Sequence, residues 1–116
     1  MRLLAVSLCF VLAACSSVSE SIPQEVAPPP DAATALKGLK AAASEAKLEA
    51  PVEVSEPIRA NPVSSSPWLI CLRSGKSEQS KRLTYSAFFK KDYVSSRWSA
   101  TVDNCSEQVY HPLKGN

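Results

Sequence analysis

The residues with the widest chemical reach in this 116-residue sequence are four cysteines and one histidine: Cys9, Cys15, Cys71, Cys105 and His111. A thiolate is a nucleophile and a metal ligand, and two thiols in an oxidising compartment form a disulfide. Cys71 and Cys105 stand well apart from the N-terminal pair. Joined, they would close a loop of about 35 residues, worth roughly 3.8 kcal/mol in the chain-entropy model. A metal site built from Cys71, Cys105 and His111 would need C-x₂-C or H-x₃-H spacing, which is absent. A redox-active pair would need C-x-x-C. The expectation is a structural disulfide, with no metal and no cofactor.

Catalytic constellations are as thin. A Ser-His-Asp triad must use His111 as its base, and that residue sits before Pro112, a few residues from the last one given. A general base needs a rigid supporting shell. The acids available for paired-carboxylate chemistry (Glu53, Glu56, Glu78, Asp92, Asp103 and Glu107) fall mostly in expected loops or strand ends, where solvated carboxylates are ordinary. Ser74-Gly75-Lys76 looks like the end of a phosphate-binding loop but lacks the preceding glycine and the following helix. Arg73, Lys76, Lys81 and Arg82 cluster on one expected loop and form the best contact site for an anionic partner, with Lys90 and Lys91 at the opposite sheet end. Nucleic acid would call for a contiguous basic stripe with exposed aromatics, which is not seen. The sequence specifies no reaction and no small-molecule substrate. The expectation is a protein that is not an enzyme.

The elements that position these residues begin after a targeting segment. Met1-Arg2 is a one-charge start, and Leu3 to Ala14 is an apolar run too short to span a bilayer, which takes about 20 helical residues. It fits the hydrophobic region of a signal peptide, 1–14. The run ends in Leu12-Ala13-Ala14-Cys15. This tetrad resembles the lipobox of bacterial lipoproteins at all four positions. The resemblance implies cleavage before Cys15, diacylglycerol on its thiol and a further acyl chain on the freed amino group. Several chains, at roughly 0.8 kcal/mol per buried CH₂, anchor far more firmly than one. Cys9 would leave with the signal. Ser16 lacks the Asp that favours inner-membrane retention in enterobacterial members of that family, so the resemblance implies a lipid-anchored place in the cell envelope, at the outer membrane facing the periplasm.

Residues 15–30 carry the lipidated cysteine and a Ser/Pro linker ending in Pro28-Pro30, which spans up to about 50 Å when extended. Residues 31–116, about 86 in all, make one small domain with a thin core. Charge is unevenly spread: four Lys/Arg against seven Asp/Glu over Ser16–Ser66, then eight against four over Pro67–Asn116. The overall balance is near neutral, consistent with a solvated surface and a mild preference for anionic partners.

Asp31 is a natural N-cap, and the Ala/Lys/Glu/Leu-rich stretch 32–49 predicts a helix with a narrow seam of Leu36, Leu39, Ala43 and Ala46. Gly38 costs that helix about 1 kcal/mol of propensity. The helix either docks through its seam or stays free. Val52 and Val54 suggest a short edge strand ended by Pro57. Strands follow at about 68–73, where WLICL reads as buried on both faces, and at 83–89 and 94–102. If Lys91-Asp92 centres the turn, the last two strands pair Phe89 with Val94, Ala87 with Ser96, Tyr85 with Trp98 and Leu83 with Ala100 on an apolar side. Ser86 then faces Arg97 and Thr84 faces Ser99 on the other. A four-residue loop keeps that parity and a three-residue loop reverses it; the longer turn is favoured because Lys-Asp suits a two-residue loop poorly. Phe88 lands on the polar side as a misfit. Gln108–Tyr110 could add a short strand. The fold class expected is α+β: one N-terminal helix on a small antiparallel sheet of three to four strands, with one disulfide.

PWLICLRSG, YSAFFKKDYVSSRWSATVDNC and the YHPL tail resemble short alphaproteobacterial lipoproteins of no assigned activity, over residues 67–116. The helix-then-meander architecture is also similar in outline to small lipoproteins of outer-membrane protein assembly, without their second helix or Gly/Pro signature. Two readings lead. One is a membrane-anchored, non-enzymatic envelope lipoprotein acting as a structural or interaction module, with an envelope protein as partner. The other is a binding protein or inhibitor using the Arg73–Arg82 loop to contact an anionic polymer or a secreted enzyme.

Overall fold

A computed structural model describes residues 27–76 and 83–114. The expected signal segment, Cys15 and most of the linker lie outside the described residues, as do Lys81 and Arg82. Asp31 opens helix α1 (Ala32–Glu45): its Oδ1 accepts the Thr34 N–H at 2.8 Å, which holds the carboxyl below its usual range. The helix stops at Glu45 rather than at the expected Glu49. The Lys47 N–H reaches Ser44 O (3.1 Å) and the Leu48 N–H reaches Ala43 O (3.0 Å), with Lys47 left-handed at φ 56°. This closing motif usually takes glycine at the left-handed position, so the sequence hid it. Leu48 is thereby turned back onto the core.

The helix docks on the sheet. Its buried residues are Gly38, Leu39, Ala42 and Ala43. Gly38 is there for proximity: a Cβ would lie 2.6 Å from Phe89 Cε2 and 2.7 Å from Tyr93 Cβ. The absent side chain lets the helix backbone rest directly on the fully buried Phe89 ring.

Among the described residues six strands form one antiparallel sheet, more than the three to four expected: β1 (Val52–Val54), β2 (Ile58–Arg59), β3 (Trp68–Ser74), β4 (Tyr85–Phe89), β5 (Tyr93–Trp98) and β6 (His111–Pro112). Their order is β5-β4-β3-β1-β6, with β2 beside β3. β1 is therefore not an edge strand, because two residues of the tail close over it. The expected tail strand at Gln108–Tyr110 forms one step later, at His111–Pro112. β1 and β2 run along the same side of β3, interrupted at Ser55–Pro57, where the Ser55 hydroxyl accepts the Cys71 N–H at 2.9 Å.

The β4–β5 pairing holds Tyr85 against Trp98, Ser86 against Arg97 and Ala87 against Ser96. The turn, however, pairs Phe89 with Tyr93, leaving three residues in the loop. A bulge between Phe88 and Phe89 restores the register one step later. Val94 is the extra residue, and it borders a cleft with Phe88 and Arg97 on the face away from the helix. β5 ends at Trp98 rather than near Val102, because two 3₁₀ turns (Thr101–Asp103 and Cys105–Glu107) fold the chain under the sheet. Likewise β4 begins at Tyr85, leaving Leu83 half-exposed outside the ladder.

β3 and β4 are buried on both faces. On the helix side Ile70, Leu72, Ala87 and Phe89 meet α1, Val52 and Val54. On the other side Leu69, Cys71, Phe88 and Cys105 form a second cluster with Ile58, Ala60 and Tyr110 beside it. Phe88 is thus core, covered by the 3₁₀ turns and the β2 segment.

Candidate functional site

Cys71, central in β3 and wholly buried, is bonded to Cys105, with a Cα–Cα distance of 5.6 Å. Asn104 makes the approach possible: it is left-handed at φ 57°, a conformation asparagine tolerates, and it turns Cys105 back beneath the strand. With both thiols spent, and with no group of three or more metal-binding side chains among the described residues, nothing described presents a metal centre.

Beside the disulfide lies a polar node that sequence reasoning half found. Ser86 and Arg97 face one another, as the register requires, and Asp103 comes up between them. Its carboxylate, only 2% exposed, accepts from Ser86 Oγ (2.7 Å), the Ala100 N–H (2.9 Å) and both terminal nitrogens of Arg97 (2.9 and 3.3 Å). Burial pushes the carboxyl pKa up. The Ala100 and Ser86 hydrogen bonds and the Arg97 guanidinium push harder the other way, so the group titrates below the usual carboxylate range. Ser86 has a carboxylate but no imidazole, and no solvent path, since it is fully buried. The node is built to hold the turn in place and has no activated nucleophile.

The expected basic loop is divided by the fold. Arg73 faces inward across β1: its Nε is 2.8 Å from Glu53 Oε1, and its guanidinium lies 3.9 Å from the centre of the Tyr110 ring. Burial, the largest influence, raises the Tyr110 phenol to about 12, and its hydroxyl donates to Cys105 O at 2.7 Å. Arg73 therefore supports the second core. Lys76 is exposed at the start of the loop. Ser74-Gly75-Lys76 serves as a lock rather than a phosphate cradle: Ser74 Oγ donates to Glu49 O (2.7 Å) and the Gly75 N–H to Pro51 O (2.7 Å).

His111 pairs in the open with Glu56 at 2.8 Å, on the rim of a groove of about 570 Å³ between α1, β1 and the tail. The groove floor is aliphatic, with Leu36, Leu39, Val54 and Leu113. Of the carboxylates weighed for catalysis, Glu53 pairs with Arg73, Asp103 with Arg97 and Glu56 with His111, while Glu78 lies outside the described residues.

The end of the sheet where β2, β3 and β4 meet has its own character. The Trp68 indole N–H donates to Ala27 O at 2.8 Å, fixing there the first described residue of the chain. Arg59, paired with Trp68 across β2–β3, lies 5.6 Å from the centre of its ring. Phe89 pairs with Trp68 from β4 and leads into the exposed turn Lys90-Lys91-Asp92. Compared with family models, curated proteins and solved structures, the chain gives no match.

Proposed function

We propose that this chain is a lipid-anchored envelope lipoprotein whose small domain is a non-enzymatic structural or interaction module, held at the outer membrane on its periplasmic side. The observation that carries the reading is the tetrad Leu12-Ala13-Ala14-Cys15 directly after a short apolar run. A further observation supports it: the Cys71–Cys105 bridge suits an oxidising compartment. No helix among the described residues is long and apolar enough to cross a membrane. Against the alternative of a binder working through the Arg73–Arg82 loop stands the commitment of Arg73 to Glu53 and Tyr110.

The test is the mass of the mature N-terminal peptide, from chain isolated out of bacterial membranes, beside a Cys15→Ser variant. The reading expects Cys15 as the first residue, carrying acyl mass, and partition into detergent that the variant loses. A mature chain that starts elsewhere, or an unmodified Cys15, would overturn it.

A further inference from the structure

We infer that the sheet end formed by Arg59, Lys90 and Lys91 docks on anionic phospholipid headgroups, so that the domain stands on the membrane with its tether side down; this rests on the lipid-anchor reading above. Tether and charge are placed together by observed contacts. Ala27 is pinned to Trp68, and Trp68 pairs with Arg59 on one side and with Phe89, the residue before Lys90, on the other. Arg59, Lys90 and Lys91 are all exposed. Asp92 in the same turn offsets one of the three charges and leaves two.

Eleven residues separate Cys15 from Ala27, twelve steps along the chain with a reach of at most about 42 Å, so an anchored domain samples the surface continually. A basic side chain near an anionic surface gains about 1 kcal/mol, and the gain fades within a Debye length. Two net charges then shift the ratio of docked to undocked domain on the order of 30-fold between neutral and anionic membranes. At the other end Arg73 is paired with Glu53, Lys81 and Arg82 lie outside the described residues, and Ala27 is held far from it at Trp68.

The two tryptophans provide the readout. Trp68 marks the proposed docking end. Trp98 lies at the far end of the β4–β5 ladder, 59% exposed, and pairs with Tyr85. The lipidated chain, as Trp98→Phe or as Trp68→Phe, is reconstituted into vesicles of neutral phosphatidylcholine or of phosphatidylcholine with phosphatidylglycerol, each containing a headgroup-attached quencher. The expected result is quenching of Trp68 well above that of Trp98 in the anionic vesicles. It should fall to the neutral-vesicle level in Lys90→Glu/Lys91→Glu, or in 1 M salt, where screening acts over about 3 Å. Equal quenching of Trp68 in both vesicle types, or stronger quenching of Trp98, overturns the inference. So does a discrete protein cross-linked in cells from a photoreactive residue at position 91 when the vesicles show no quenching, since that end would then serve a protein partner. A mass spectrum of the same preparation separates the two readings. Lipid on Cys15 with equal quenching refutes only the docking; absence of lipid refutes the anchor itself.

Discussion

Asp103→Asn removes one charge from the buried node and little volume. The carboxylate accepts from Ser86 and Ala100 in a closed site, and from Arg97, whose side chain is 48% exposed. A hydrogen bond to a charged acceptor is worth roughly 1.5–3 kcal/mol, against about 1 for a neutral one, so the two enclosed bonds lose about 1 kcal/mol each. The Arg97 pair is half in solvent and is discounted to at most about 1 kcal/mol. The expected loss at neutral pH is about 2–3 kcal/mol. The pH dependence follows from the direction of the shift. The native Asp103 pKa lies below the ordinary value of 3.8, so its contribution is fully present above that value. It is lost as pH falls through the lower native pKa, where both states become protonated. Urea unfolding of both proteins from pH 7 down to pH 2–3 is the assay: the gap between them should be constant near neutrality and shrink once pH passes below about 4. A gap under about 0.5 kcal/mol, or one that persists unchanged into acid, would refute the assignment of Asp103 as an ionised buried acceptor.

Gly38→Ala should destabilise the fold by about 1 kcal/mol or more, even though alanine favours helix by a similar amount, because its Cβ meets Phe89 and Tyr93. A rise in thermal midpoint followed by circular dichroism would contradict the close-contact reading. Lys47→Gly should stabilise by up to about 1 kcal/mol by removing the cost of a left-handed lysine, read as a higher urea midpoint at unchanged slope. Cys71→Ser should cost on the order of 3–4 kcal/mol, and reduction of the native protein should produce a comparable loss. Equal midpoints before and after verified reduction would remove the bridge from the account of stability.

What the sequence made legible was whatever a period of two encodes. The alternation through Tyr85, Ala87 and Phe89 against Ser96 and Trp98 set the β4–β5 register, and the continuous run WLICL marked β3 as doubly buried. The position of Val94 was not legible, because the local signal for a bulge is one unpaired residue, and Lys-Lys-Asp carries no glycine to announce it. The helix end was obscured for the same reason, with a lysine holding the place of a glycine. At the site, the Cys71–Cys105 pairing followed from counting cysteines. The Asp103 node did not, since it depends on how a turn folds back in space. The inward direction of Arg73 follows from its pairing with Glu53 across β1, a strand too short to fix a register beforehand.

The two covers of the sheet divide the labour of holding so small a domain together. Helix α1 covers one face with a narrow Leu/Ala/Gly seam, which suffices because Gly38 lets it come close. Among the described residues no α-helix lies on the other face. Its cover is the β2 segment, Tyr110 and two single-turn 3₁₀ segments that would not persist alone. The 3₁₀ segments are fixed three times over: by Cys105 to β3, by Asp103 to Ser86 and Arg97, and by the Tyr110 hydroxyl to Cys105 O. The disulfide therefore does more than shorten a loop. It holds Cys105 against Leu69 and Phe88 in the second cluster, beside Ile58, Ala60 and Tyr110. Both faces of β3 and β4 are covered in this way among the described residues, and Arg59, Lys90 and Lys91 stand at the sheet end where Ala27 is held.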